Sequence, residues 1–313
     1  MKKTIVIASR ESALAMWQAE HVAALLREHD PTLDVKILGM TTRGDKILDK
    51  KLSKVGGKGL FVKELELAMQ EGRADLAVHS LKDVPMELPA GFTLAAITLR
   101  EDPRDAFVSS KYGSLEEMPE GAIVGTSSLR RELMLRSSYP QLVVKSVRGN
   151  VGTRLSKLDA GDYDALVMAA AGLKRLGFAN RIRTWIDASV SLPSPGQGAL
   201  AIEIRAGDTE TLDAVSFLND VKTRAACEAE RAVSRALGGS CQVPLAAYAT
   251  VTDDGTMQLK ALVGDHRTGK TLRTEERGAV TDPQGLARKA VEDLLRQGAK
   301  ALLESVLKET TAS

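Results

Sequence analysis

Cys241 stands in the run Gly238-Gly239-Ser240-Cys241-Gln242-Val243-Pro244. Glycines there favour a turn over a regular element, and a cysteine in such a turn offers its sulfur to solvent. No histidine adjoins it, so a Cys–His hydrolase is a poor fit; an exposed thiol used as a covalent anchor is a better one. Cys227 lies within the helical run Ala225–Ala229 and reads as structural.

The second set of chemistry-bearing residues is cationic. Arg10 follows an apolar run, and Arg130-Arg131 follow Gly125-Thr126-Ser127-Ser128-Leu129. Arg148-Gly149-Asn150 ends another apolar run with Arg154 one turn later, and Lys174-Arg175 follow Ala165–Ala169. Any one of these could be a solvated surface charge. Repetition at successive strand ends favours a crevice facing an anion with several charges. Ligands of open α/β sheets gather at strand carboxyl ends, helix N-termini there attract negative charge, and guanidinium forks bind carboxylate or phosphate. Charge alone does not separate carboxylate from phosphate. No G-x-x-x-x-G-K-[ST] loop and no G-x-G-x-x-G follows a strand, so a nucleotide cofactor has no support.

His79-Ser80-Leu81-Lys82-Asp83-Val84-Pro85 directly follows a further apolar run. Lys82 and Asp83 form either an incidental surface pair or a carboxylate set among cations, where it stays ionised. His79 reads more readily as a packing residue than as a base, and four histidines in the chain argue against a histidine metal site. Leu52–Gly59, rich in glycine and lysine, is either a solvated loop or a lid whose Lys54 and Lys58 reach an anionic ligand.

These residues need strands and helices to hold them. Thr4–Ala8, Val35–Met40, Leu76–His79, Leu94–Ile97, Ala106–Val108, Ile123–Gly125, Leu142–Val147 and Ala165–Ala169 read as strands. Helical patterns lie between them: from Ser12, over Phe61–Gln70, from Ser128 and from Gly152. Alternation of this kind predicts layered α/β structure. Arg100–Asp105 and the Pro/Gly-rich Ser191–Gly198 read as joints. The run Ala199–Ile204 has no partner in its own block and is expected to return to the first. The predicted domains are 1–98 with 199–216, then 104–192, and a smaller α+β domain at 221–313. That last domain is expected to hold a helix Arg224–Leu237, strands near Leu245–Thr250 and Met257–Val263, and one closing helix, Leu286–Val306.

Composition narrows the class. The net charge is +2 and aromatics make up 4% of the chain, which gives little material for a nucleic-acid surface. Two cysteines in 313 residues do not make a disulfide framework. Ser9-Arg10-Glu11 interrupts the first apolar run at once, and no run approaches the ~20 residues that span a bilayer. The expected setting is the cytoplasm, with no membrane and no nucleic acid. Without Cys241 in use, the two α/β lobes alone would suit a small-anion binding module that does no chemistry.

The ordered motifs carry a resemblance across essentially the whole chain. Val55-Gly56-Gly57-Lys58-Gly59-Leu60-Phe61-Val62-Lys63-Glu64, His79–Pro85, Arg100–Asp105, Gly125–Arg131, Arg148–Arg154, Pro195–Gly198 and Glu230-Arg231 through Gly239-Ser240-Cys241-Gln242-Val243-Pro244 closely resemble the porphobilinogen deaminase family. One departure is Gly238-Gly239-Ser240 where many bacterial members have Glu-Gly-Gly before the cysteine. The resemblance implies two periplasmic-binding-protein-like α/β lobes joined by two hinge segments, plus a C-terminal α+β domain. It implies a transferase that acts as a monomer. A dipyrromethane cofactor is carried covalently on Cys241. Four porphobilinogen units are added in turn, each losing ammonia, before hydrolysis releases hydroxymethylbilane for tetrapyrrole synthesis. By the same resemblance Asp83 is the catalytic carboxylate. Lys82, Asp83, Thr126, Ser128, Arg130, Arg131, Arg148, Gly149 and Arg154 contact the cofactor. Arg10, Ser12, Gln18, Lys54, Lys58, Phe61, Arg148, Arg154, Arg175 and Gln197 contact substrate. No metal is implied.

Overall fold

The computed structural model describes residues 2–42, 62–239 and 243–312. In chain order its first elements are β1 (Thr4–Arg10), α1 (Ala13–His29), β2 (Asp34–Met40), α2 (Lys63–Gln70), β3 (Leu76–Ser80), a 3-10 turn (Leu81–Asp83) and β4 (Phe92–Ile97). There follow β5 (Asp105–Val108), β6 (Ile123–Gly125), α3 (Leu129–Ser138), β7 (Val143–Lys145), α4 (Val151–Asp159), β8 (Ala165–Ala169), α5 (Ala170–Arg175) and β9 (Ile182–Ile186). The chain ends with β10 (Leu200–Arg205), α6 (Thr209–Val215), α7 (Val221–Ala236), β11 (Leu245–Val251), β12 (Thr256–Gly264), β13 (Thr271–Ala279), α8 (Pro283–Arg296) and α9 (Ala299–Ala312).

Two compact units result: Met1–Glu101 with Ala199–Arg224, and Asp102–Gly198 with Ala225–Ser313. The first is built on a sheet of order β2-β1-β3-β10-β4. β1 runs parallel to β2 and β3, whereas β10 is antiparallel to β3 and β4. The run expected to return to the first block does so as β10. Its residues Leu200–Ile204 are almost entirely buried because strands cover both edges and helices both faces. One face carries Ile5, Ile7, Leu76, Val78 and Ile202 against Val22 and Leu26 of α1. On the other face Ala8 and Ala77 meet Leu65, Ala68 and Met69 of α2.

The second unit repeats that arrangement in the order β7-β6-β8-β5-β9. β6 is parallel to β7 and β8, and β5 is antiparallel to β8 and β9. In each sheet the antiparallel strand is the one entered just after the chain changes unit. A third sheet, β11-β12-β13, is an antiparallel meander covered by α7, α8 and α9 through Val233, Leu259, Ala261, Leu286 and Leu303. The α/β class with a smaller C-terminal sheet is therefore what the chain adopts.

Polar side chains set several helix starts. Asn150 accepts from the Thr153 amide at 2.9 Å, Asp208 from Thr211 at 3.0 Å and Asp282 from Gly285 at 2.8 Å, each satisfying an otherwise unpaired first-turn N–H. Three readings need correction. The closing helix is two helices, because Gly298 takes φ 98°, a left-handed conformation that ends α8 and restarts the chain as α9. The strand expected over Leu142–Val147 forms only at Val143–Lys145, the part that pairs with β6. β9 and β13 went unread because edge strands exposed on one side carry arginines, glutamates and threonines in place of an apolar run.

Candidate active site

In the first unit, β1 and β3 end side by side. Past β1 come Arg10, half-buried, and Ser12, which precedes α1; past β3 comes the 3-10 turn with Lys82 and Asp83. The turn is clamped at both ends. Leu81 and Val84 are buried, the Leu81 amide donates to the Ala199 carbonyl at 3.0 Å, and Val84 N–H returns to the Leu81 carbonyl at 3.1 Å. Between these anchors Asp83 is exposed, and its carboxylate has no hydrogen-bond or ion-pair partner among the described residues. Gln18, buried on α1, donates from Nε2 to Ser80 Oγ at 2.7 Å. Arg10, Ser12, Gln18, His79, Ser80 and Asp83 share the lining of a cavity of about 70 Å³. The structure thus gathers four expected site residues, Arg10, Ser12, Gln18 and Asp83, on one wall.

His79 is buried, as its packing reading required, but it is not merely packed. Its Nε2 lies 2.8 Å from Oε2 of Glu203, which is fully buried. Glu66 of α2 is also buried, and burial first, then the nearby Glu203 charge, push its carboxyl up to about 7 against the opposing pull of His79 and Lys63. Neither glutamate was picked out as functional from sequence. The visible signal for Glu203 was one acid inside the apolar run Leu200-Ala201-Ile202-Glu203-Ile204.

In the second unit the carboxyl ends of β6, β7 and β8 are adjacent, and each delivers expected residues: Thr126 and Ser128 after β6, Arg148 and Gly149 after β7, Arg175 at the end of the helix after β8. Thr126 is buried, its Oγ1 accepting from the Ser128 amide at 3.2 Å. Gly149 has φ 109°, and a Cβ there would stand 2.6 Å from Thr153 Cγ2. That turn lets the Gly149 carbonyl accept from Arg154 Nε at 2.8 Å, fixing the Arg154 side chain to the turn. Arg175 Nη2 donates to the Gly198 carbonyl at 2.7 Å.

Arg130 and Arg131 depart from the picture of arginines on a solvated wall. Both are buried, on the first turn of α3, around Asp105, which opens β5 beside the end of β8 and is itself fully buried. Asp105 Oδ1 accepts from Arg130 Nη2 at 3.0 Å, Arg131 Nη2 at 2.8 Å and Gln197 Nε2 at 3.0 Å. Its Oδ2 accepts from Arg130 Nη1 at 2.8 Å and Ser191 Oγ at 2.6 Å. Burial alone would raise the Asp105 carboxyl, but the two guanidiniums outweigh it and hold the group well below the usual carboxylate range. Gln197, expected to meet substrate, spends its amide on Asp105 and on the Pro103 carbonyl at 2.6 Å. In sequence Asp105 shows only as part of a joint, since its partners come from segments 25 to 92 residues away.

Two donors of this cluster are left over. The Nε atoms of Arg130 and Arg131 are buried without a hydrogen-bond partner among the described residues. A buried donor without a partner is costly. Nearby, Glu230 of α7 binds the Gly196 amide at 2.7 Å and the Ala249 amide at 2.8 Å, tying the Pro195–Gly198 segment to α7 and β11. Cys241, on the connection between α7 and β11, lies outside the described residues, as do Lys54, Lys58 and Phe61.

Comparison with known proteins agrees over the same length. A family model described as "Porphobilinogen deaminase, dipyromethane cofactor binding domain" matches residues 5–213, and one described as "Porphobilinogen deaminase, C-terminal domain" matches residues 224–296. The porphobilinogen deaminase of Burkholderia thailandensis is 61% identical over 97% of this chain and 93% of its own length. That of Chromobacterium violaceum is 59% identical over 97% of this chain and 98% of its own. Among solved structures, the periplasmic aliphatic sulphonate binding protein SsuA from Escherichia coli aligns over 75% of this chain and 71% of its own at 13% identity and a TM-score of 0.41. With two family models laid end to end over its length and relatives that match it almost throughout, this chain belongs to the porphobilinogen deaminase family.

Proposed function

We propose that Asp83 carries the family reaction in this chain and that Cys241 anchors the cofactor the family model names. The observation that carries the reading is the state of Asp83: an exposed carboxylate with no partner among the described residues, held by a turn clamped at both ends on the wall of a cavity that Arg10 also lines. Porphobilinogen brings an acetate, a propionate and an aminomethyl group. Loss of ammonia from that last group leaves a cationic azafulvene. A fixed carboxylate at the pyrrole N–H stabilises this cation without reorganising, which is where preorganised electrostatics contributes most. The clamp formed by Leu81 and Val84 supplies the preorganisation, and Arg10 is placed to hold a substrate carboxylate.

The second unit fits a bound polyanion. The Nε donors of Arg130 and Arg131 have no hydrogen-bond partner among the described residues, and both arginines keep their orientation through Asp105. These two residues, with Thr126, Ser128, Arg148 and Arg154, would hold the acidic side chains of a dipyrromethane joined to Cys241. That group supplies a tethered pyrrole as the starting point for chain growth. The roles of Lys54 and Lys58 in closing over the site and of Phe61 in stacking on a pyrrole ring rest on the family resemblance. So does the reading of a cytoplasmic monomer with hydroxymethylbilane as product; no helix among the described residues is long and apolar enough to cross a membrane.

Asp83→Asn tests the reading. It keeps the shape of the side chain and removes the charge that stabilises the cation. Ammonia release from porphobilinogen should fall by about 100-fold or more, the scale seen when one preorganised electrostatic group is removed, while thermal stability stays within ~0.5 kcal/mol, as for a surface change. Near-normal turnover in that variant removes Asp83 from the role.

A further inference from the structure

Behind the wall that carries Asp83, three titratable side chains from three elements meet on the face of the first sheet covered by α2. The β3–β10 register sets Ala201 opposite His79 and Glu203 opposite Ala77, so His79 and Glu203 are diagonal neighbours on one face. Ala77 packs against Leu65 and Ala68 of α2, which places the sheet side of α2, including buried Glu66, over the same patch. Glu203 Oε2 is taken by His79 Nε2, but Glu203 Oε1 and Glu66 Oε1 are buried with no hydrogen-bond partner among the described residues. A core that needed only packing would place apolar side chains here, since buried carboxylates with unused oxygens are costly. His79 connects the patch to the cavity: it shares the lining with Asp83, and its Nδ1 has no hydrogen bond among the described residues.

We infer that Glu66, Glu203 and His79 form a proton-holding unit for the Asp83 cavity, in which Glu66 holds the proton and the Glu203–His79 pair links it to the cavity. Glu66 and Glu203 are then positioning residues, and His79 is the outlet. The inference rests on the reaction proposed above, in which a proton is released as each new unit is joined. Porphobilinogen reacts with its aminomethyl group as an ammonium: the carbon–nitrogen bond breaks, the electron pair stays on nitrogen, and neutral ammonia leaves the cationic azafulvene. When the next unit is joined to it, a carbon–carbon bond forms at its free α carbon, and that carbon loses a proton. Ammonia and the released proton sum to ammonium. A group that accepts the proton as the bond forms and hands it to the departing ammonia, giving ammonium, is unchanged over each cycle.

The electrostatics suit a store that works near neutrality. Two carboxylates in one desolvated patch do not both ionise readily. The charges acting on Glu66 are Glu203, which favours its protonated form, and His79 and Lys63, which oppose that. Arg10, next along the same face of β1, lines the cavity. Arg205, two positions beyond Glu203 on β10, is taken by Asp208 and the carbonyls of Met69 and Ala74.

The test uses the cofactor-loaded enzyme and two isosteric variants, Glu66→Gln and Glu203→Gln, with loading checked by Ehrlich colour. Infrared titration of the wild type should show a protonated-carboxyl band that disappears with a midpoint near pH 7 and is missing in Glu66→Gln. Ammonia release should show kcat lowered by about tenfold or more in both variants, with KM within about twofold and the pH limb of kcat displaced. A wild-type enzyme with no protonated carboxyl at pH 6 overturns the proposal. So do loaded variants whose kcat and pH limb match the wild type. If the wild type itself releases no ammonia from porphobilinogen, the reaction falls first and takes the proton store with it.

Discussion

Asp105→Asn isolates the buried arginine cluster. In the wild type, Asp105 takes hydrogen bonds of 2.6–3.0 Å from Arg130, Arg131, Ser191 and Gln197. Asparagine keeps one acceptor oxygen but turns an NH2 toward the donors Arg130 Nη1 and Ser191 Oγ, and it leaves two buried guanidiniums without a counter-charge. Removing one partner of a buried ion pair costs about 3–5 kcal/mol, a large share of the ~5–15 kcal/mol that holds a protein folded. At about 2 °C per kcal/mol for a long chain, the melting midpoint should fall by ~6–10 °C. The pH dependence carries the sign. Asp105 lies below its ordinary 3.8 in the folded chain, so its contribution is fully present above that value and declines as pH falls toward the folded value. The gap between wild type and variant should therefore be flat from about pH 5 to 8 and begin to close below about 4. Calorimetry with the cofactor-loaded protein across that range measures both. The variant should also carry less Ehrlich-positive pigment, because Arg130 and Arg131 lose the anchor that orients their Nε donors. A loss under ~1 kcal/mol at pH 7 would refute the account of the cluster, since it lies below even the low end for a broken buried pair.

Cys241→Ala should yield protein of the bare polypeptide mass with no activity; intact-mass spectrometry that still finds two attached pyrroles would move the anchor elsewhere. Gly149→Ala forces a side chain into a left-handed backbone and against Thr153, so it should destabilise the second unit by about 1–3 kcal/mol and weaken cofactor retention, read by urea unfolding and pigment content. Glu66→Gln should alter stability in a pH-dependent way. The folded value near 7 lies above the ordinary 4.5, so wild-type stability falls as pH rises between them. The variant lacks that slope and should gain on the order of 2 kcal/mol relative to wild type at pH 8 compared with pH 4.5, measured by denaturant titration.

Local pattern in the chain determined a good deal. Short apolar runs punctuated by helical periods declared two α/β blocks, because burial on both faces of a sheet leaves no polar alternation to hide the strands. The lone run Ala199–Ile204, without a local partner, pointed back to the first block, where it forms the antiparallel strand β10. Motif order named the family and put Asp83 at a strand end, and the gathering of Arg10, Ser12, Gln18 and Asp83 around one cavity follows from β1 and β3 being neighbours.

Only the tertiary structure decided which charges are buried and what they face. Arg130 and Arg131 look in sequence like any other arginines after a strand. They become interior groups because β5 runs antiparallel beside β8 and brings Asp105 to the start of α3, from 25 residues away. Gln197 is drawn into the same cluster from 92 residues away, so its amide serves the scaffold. The pairing of His79 with Glu203 spans 124 residues and exists only because of the β3–β10 register. Hydrophobic period is a local property that sequence displays. The partner of a buried charge is set by sheet register and strand order, and no window along the chain contains both members of the pair.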